Sequence, residues 1–196
     1  MSDTAKTTPA TDLALVAVFA ALIAAFSLTP GIPIAGGVPI TLQTLAVVLA
    51  GLVLGPWRGF LATLLYLAVG FAGLPVFAGG AAGLAVLGKP SIGYLLAFPI
   101  GAAVAGYLAR LTSSWRGARQ YLGFFLAGVG ASIVIHAAGI LGLMLVARMG
   151  FGAAFLVDVA FWPGDLAKMF VASAIAVSWM TERLSSLARY SRPFLT

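Results

Sequence analysis

Residues 121–147 read YLGFFLAGVGASIVIHAAGILGLMLVA, from Tyr121 to Ala147, with no Asp, Glu, Lys or Arg and one histidine, His136. A helix needs roughly 20 mostly apolar residues to cross the hydrocarbon core of a bilayer, about 30 Å thick, and this run is long enough. The rest of the chain agrees with it. Of 196 residues, 62% are hydrophobic and 8% charged, and mean hydropathy is +1.10. Soluble domains carry roughly 25% charged residues. Eleven basic and five acidic side chains cannot clothe a soluble fold of this length. The chain reads as an all-α integral membrane protein with no soluble enzyme domain.

Outward from that run, Pro, Gly and charge punctuate five further apolar segments. A polar N-terminal tail, residues 1–12, precedes a first span over Leu13–Leu28. It lacks the basic region of a cleavable signal peptide, so the first span is expected to stay. The uncharged stretch Thr29–Pro39 leads to a second span, Ile40–Leu54. Gly55-Pro56-Trp57-Arg58 reads as a tight turn, and Gly59–Gly70 as a third span. Phe71–Pro90 is long, apolar and rich in Gly and Pro. Ser91–Leu111 is the fourth span, Thr112–Gln120 a basic loop and Tyr121–Ala147 the fifth span. Pro163, well suited to a first helical turn, opens the sixth, to about Thr181. The six-helix domain is thus 13–182, with a basic tail over 183–196.

Spans two and three are short, and the connections beside them are apolar. Irregular backbone at membrane depth is tolerated where it is buried or lines a cavity, so Thr29–Pro39 and Phe71–Pro90 are expected to cap a cavity. With the N-terminus inside, Lys6, Arg58, Arg110, Arg116, Arg119, Arg183, Arg189 and Arg192 lie on the inner side, and Lys89, Arg148 and Lys168 on the outer. The positive-inside rule favours that placement. Both termini are then cytoplasmic and the cavity opens outward. The absence of cysteine excludes disulfides, Cys-ligated zinc and iron–sulfur clusters.

The sharpest chemistry lies in Phe161-Trp162-Pro163-Gly164-Asp165-Leu166-Ala167-Lys168. Asp165 and Lys168 are three apart and share a helix face. Charges inside a membrane usually face the bundle interior and pair, and together they offer a ligand an acceptor and a cation. The same pair also suits a structural role, with Asp165 complementing the helix N-terminus. Lys89 ends the second capping loop, either meeting an anionic ligand group or standing solvated at the interface. His136 fits a hydrogen-bonded packing residue better than a ligand, and no second histidine exists for a metal site. Thr41, Gln43, Thr44 and Tyr66 suit either a cavity wall or interhelical hydrogen bonds. Gly83–Lys89 matches the start of a P-loop, but Pro90 stands where a magnesium-binding Ser or Thr is required, so the match is fortuitous. Any ATP hydrolysis belongs to another chain. Span one carries small residues at Ala17, Ala21 and Ala25, with Ala20 and Ala24 beside them, a face suited to close helix approach within the fold or with a partner.

Three stretches carry a resemblance. Val38-Pro39-Ile40-Thr41-Leu42-Gln43-Thr44, Gly73-Leu74-Pro75-Val76-Phe77-Ala78-Gly79-Gly80, and Pro163-Gly164-Asp165 with Lys168 resemble the three signatures of BioY, the family of biotin-binding S components of energy-coupling factor transporters. The similarity spans about residues 13–182. The chain departs from the family pattern at Lys89, Ser91 and Ile92, within a stretch where G-P-T-G-G-Y-L is expected. The resemblance implies a substrate-binding subunit in a prokaryotic plasma membrane, capturing biotin from outside and working with a transmembrane coupling protein and two cytoplasmic ATPases. It implies biotin as transported ligand, with no cofactor. It also implies biotin contacts at Asp165 and Lys168, apolar walls from Phe77, Phe161 and Trp162, and docking of the coupling protein on the alanine face. Gln43 and Lys89 complete the candidate ligand set. Two other readings compete: an S component for another small vitamin, and a membrane enzyme or channel. An enzyme needs a cluster of ionisable groups at one depth, and the sequence offers one evident pair.

Overall fold

A computed structural model of the chain describes residues 8–33 and 36–190, with the side chains of 183, 184 and 186–190 left aside. Lys6, Arg192, the side chains of Arg183 and Arg189, and residues 34–35 of the first connection therefore lie outside the description. Seven α-helices occur among the described residues: α1 Pro9–Ser27, α2 Gln43–Leu54, α3 Pro56–Phe71, α4 Ile92–Thr112, α5 Ala118–Val146, α6 Phe151–Val159 and α7 Trp162–Tyr190. Of these, α1, α4 and α5 are long and apolar enough to cross a membrane.

Several boundaries differ from the sequence reading for identifiable reasons. α1 begins at Pro9, because Thr8 caps it by accepting from the Thr11 amide and Pro9 suits its first turn. Pro56, Trp57 and Arg58 are the first turn of α3 rather than a loop. Gly55 alone makes the reversal, at φ 81°, a backbone region glycine enters without steric cost. Residues 151–159 form α6, a short helix in a segment expected to be a connection. α7 runs on to Tyr190, past the expected end at Thr181.

The interior is mainly apolar, but the surface is not that of a water-soluble fold. Ser27, Gln43, Thr63, Gln120, Ser132, His136, Asp158, Asp165 and Ser173 are buried, while Leu96, Ile100, Leu126, Ile133, Leu141, Leu145 and Phe170 are exposed. In water, exposed apolar area on this scale marks a binding surface or a liability. Against lipid it is the matching surface.

α2 explains where space for a ligand arises. Ten of its 12 residues are buried, as expected for a helix apolar on every face. At 1.5 Å rise per residue it spans only ~18 Å, well short of the bilayer core. Its N-terminus therefore stops inside the molecule. Above that end lie the connection after α1, pinned by the paired bridge between Ile32 and Ile40, and the α3–α4 connection with its 3-10 turns at Ala78–Gly80 and Leu84–Gly88.

Candidate functional site

The spacing read in the sequence brings Asp165 and Lys168 together at the start of α7. Lys168 Nζ lies 2.7 Å from Asp165 Oδ1. Thr44, in the first turn of α2, donates to the same Oδ1 at 2.9 Å and accepts from Lys168 at 3.1 Å. On the other side of the carboxylate, His136 of α5 places Nε2 2.9 Å from Asp165 Oδ2. Its Nδ1 lies 2.7 Å from Asp158 Oδ1, on α6. Asp158 also accepts from the Tyr94 hydroxyl of α4 at 2.8 Å and from Trp162 Nε1 at 3.3 Å. Asp158, Asp165 and His136 are 1%, 2% and 4% exposed.

The cluster thus holds four ionisable groups rather than the single pair anticipated. A carboxylate oxygen faces each nitrogen of His136, so the ring donates on both sides when it carries two protons. Two carboxylates, an imidazolium and an ammonium then sum to zero. Burying ions is tolerable only when geometry and remaining hydrogen bonds offset the lost hydration. Here the account closes, because among the described residues no buried side-chain nitrogen or oxygen lacks a partner.

Asp165, Lys168 and His136 form the polar end of a cavity. Its other walls come from Val38, Pro39 and Thr41, from Phe77, Ala81 and Val86, and from Leu95, Phe98, Ile135 and Phe161. Its empty volume is about 690 Å³ including the mouth, and the centre of a water molecule can reach about 80 Å³ of it, room for several waters. An apolar cavity with few convergent polar groups is the usual form of a small-molecule site.

The remaining candidates fall in different places. Phe77 is 2% exposed and lines the cavity, held edge-on by Tyr66 and Phe71 with ring centroids 5.4 and 5.2 Å away. Gln43 lines it too. Its Nε2 donates to Tyr66 Oη at 2.7 Å, and Tyr66 donates on to the Val76 carbonyl at 3.2 Å. This ties α2 to the α3–α4 connection. Ser27 reaches the same carbonyl from α1. Lys89 lines the mouth and is exposed. Trp162 does not line the cavity. It stacks on His136 with centroids 4.7 Å apart and planes 22° apart, behind the ring rather than in front of it. The five alanines of α1 divide: Ala17, Ala21 and Ala25 are exposed, Ala20 is buried, and Ala24 packs against the core.

Sequence reasoning missed Asp158 and Tyr94 and placed His136 in packing. Asp158 carried a signal, as a lone acid inside the apolar run FGAAFLVDVAF, residues 151–161, where a charge needs a partner. Tyr94 carried none; it reaches Asp158 because Gly139 leaves room for its ring, and a Cβ there would lie 2.1 Å from Tyr94 Cε1.

Known proteins share this architecture. The crystal structure of the S-component for biotin from an ECF-type ABC transporter superposes with a TM-score of 0.80 at 28% identity, covering 88% of this chain and 94% of that one. The biotin transporter BioY of Rhizobium etli is 45% identical over 170 residues, 84% of this chain and 90% of the relative. That of Rhodobacter capsulatus is 40% identical over 189 residues, 90% of this chain and 96% of the relative. The sequence profile of the BioY family matches residues 1–184, and the chain belongs to that family.

Proposed function

We propose that this protein is the membrane subunit that captures biotin for uptake, and that the cavity at the ends of α2 and α7 is its biotin site. The observation that carries the reading is the meeting of Asp165 and Lys168, 2.7 Å apart, at the polar end of a cavity walled by Phe77, Val86, Leu95, Phe98 and Phe161. Biotin has that polarity pattern. Its ureido ring carries N–H donors and a carbonyl acceptor, its thioether ring is apolar, and its tail ends in a carboxylate. Asp165 accepts from the ureido N–H groups and Lys168 donates to an oxygen. Phe77 and Phe161 pack on the thioether ring, and Gln43 and Thr44 complete the polar wall.

The rest of the account follows from placing this site in a prokaryotic plasma membrane. α1, α2, α3, α4, α5 and α7 are the six spans, and α6 lies at the outer end. The α1–α2 and α3–α4 connections cap the cavity on the outer face, and both termini are cytoplasmic. The energy for import comes from partners: a transmembrane coupling protein and two cytoplasmic ATPases. The exposed stripe Ala17, Ala21 and Ala25 is the docking face for the first of these.

Calorimetric titration of the purified protein in detergent tests the reading, with biotin as ligand and riboflavin and thiamine as controls. Saturable heat with biotin alone, without ATP, is the expected result. No heat with biotin, or equal heat with all three vitamins, rejects it.

A further inference from the structure

Asp158 does not itself line the cavity but stands behind two residues that do, His136 and Tyr94, and three elements converge on it. Tyr94 of α4 and Trp162 of α7 donate to its two oxygens, and His136 of α5 meets Oδ1. Three aromatic rings hold the imidazole. Trp162 stacks on one face, the Tyr94 ring stands edge-on at 6.0 Å, and Phe161 lies tilted at 6.3 Å. The charged groups around the ring are Asp158 and Asp165, with Lys168 beyond Asp165. α2 contributes only the uncharged Thr44 to this group. We propose that Asp158, acting through His136, is a positioning residue that fixes the Asp165–Lys168 pair in its ligand-binding geometry. This rests on the biotin reading of the cavity.

The argument is geometric. A carboxylate on the first turns of a helix turns freely about its side-chain bonds unless something holds each oxygen. Lys168 and Thr44 both hold Oδ1, and among the described residues His136 alone holds Oδ2. The orientation of Asp165 therefore depends on where the His136 ring points and on whether Nε2 carries a proton. Asp158 governs both. It fixes the ring through Nδ1, and its charge keeps the cluster neutral when both ring nitrogens are protonated. Metal-binding histidines are oriented by a distal carboxylate in the same way; here the oriented group is another carboxylate. With Asp158 neutral, a doubly protonated ring leaves the cluster with excess positive charge, and a singly protonated ring gives up a charge-assisted contact on one side.

The chain contains one histidine, so its ring nitrogens can be observed without ambiguity. The experiment uses full-length protein labelled with ¹⁵N-histidine, purified in detergent with a histidine-free tag, and compares ring ¹⁵N shifts and biotin affinity. In the wild type both nitrogens are expected to be protonated at neutral pH. Asp158→Asn should shift the ring to a singly protonated form and weaken biotin binding by at least about tenfold. Asp158→Glu should restore part of both. If Asp158→Asn does not give a monodisperse protein, Trp162→Phe removes one bond to Asp158 while keeping a ring against His136. It should move the Nδ1 signal and weaken binding by a smaller factor. A folded Asp158→Asn protein with wild-type ring signals or wild-type affinity overturns the positioning role, as does Trp162→Phe with both unchanged. A wild type that takes up no biotin overturns instead the reading of the cavity on which the proposal rests.

Discussion

At the scale of single residues, Asp165 and Lys168 carry most of the chemistry. Both hydrogen-bond within the site, and a bond to a charged group is worth about 1.5–3 kcal/mol. Since 1.4 kcal/mol is a factor of ten, Asp165→Asn and Lys168→Ala should each weaken biotin binding by more than about tenfold while the protein still elutes as one monodisperse peak. Calorimetry on each variant checks this, and wild-type affinity in either assigns that residue to structure alone. Their pairing was legible because three residues of helix put two side chains on one face. The other half of the cluster was not. His136 is a lone histidine in an apolar helix, and nothing in its neighbourhood in sequence names the two carboxylates it meets. Asp158 lies 22 positions away and Asp165 lies 29 away, and only the packing of α5 against α6 and α7 joins them. Trp162 shows the converse. Its sequence suggests a cavity wall, but the turn between α6 and α7 sends its indole behind His136 and leaves Phe161 to face the cavity.

At the scale of elements, the bundle depends on close backbone approach. Gly93, at the start of α4, sits against α5 so tightly that a Cβ would lie 2.1 Å from the Ala138 carbonyl oxygen. A backbone atom cannot swing aside as a side chain can. Gly93→Val should therefore separate α4 from α5 and pull Tyr94 away from Asp158, at a cost of about 1–3 kcal/mol typical of overpacking. A lower melting temperature in detergent together with weaker biotin binding is expected; an unchanged melting temperature contradicts it. α1 presents the opposite case, a stripe of small residues left exposed among the described residues. Ala17, Ala21 and Ala25 are exposed, and Ala21→Trp places bulk at the centre of that stripe. The variant should bind biotin normally, fail to co-purify with co-expressed partner subunits and lose uptake of labelled biotin. Intact complex formation would move the docking surface elsewhere. The long apolar helices were readable from composition and length. α6 was not, because nine residues between two loops carry too little periodicity to distinguish a helix from a connection.

At the scale of the whole molecule, the account requires one end of the bundle to face outward with the cavity and the other to carry the arginines. Arg58, Arg110, Arg116 and Arg119 gather at the end where α2 meets α3 and α4 meets α5. The chain has no cysteine, so single introduced cysteines report cleanly on sidedness. In intact cells, Leu87→Cys should react with a membrane-impermeant thiol reagent, and Ser113→Cys should react only after permeabilisation. The reverse pattern inverts the orientation. The central claim is that this chain holds biotin in the cavity at Asp165 and Lys168, and it is tested most directly by what the protein carries out of the cell. Wild-type protein and the Lys168→Ala variant, purified from cells grown with biotin and then denatured, can be assayed for released biotin by mass spectrometry. The account predicts biotin in near-equimolar amount with the wild type and little with Lys168→Ala. Wild-type protein that releases no biotin, or a variant that releases as much as the wild type, would contradict it.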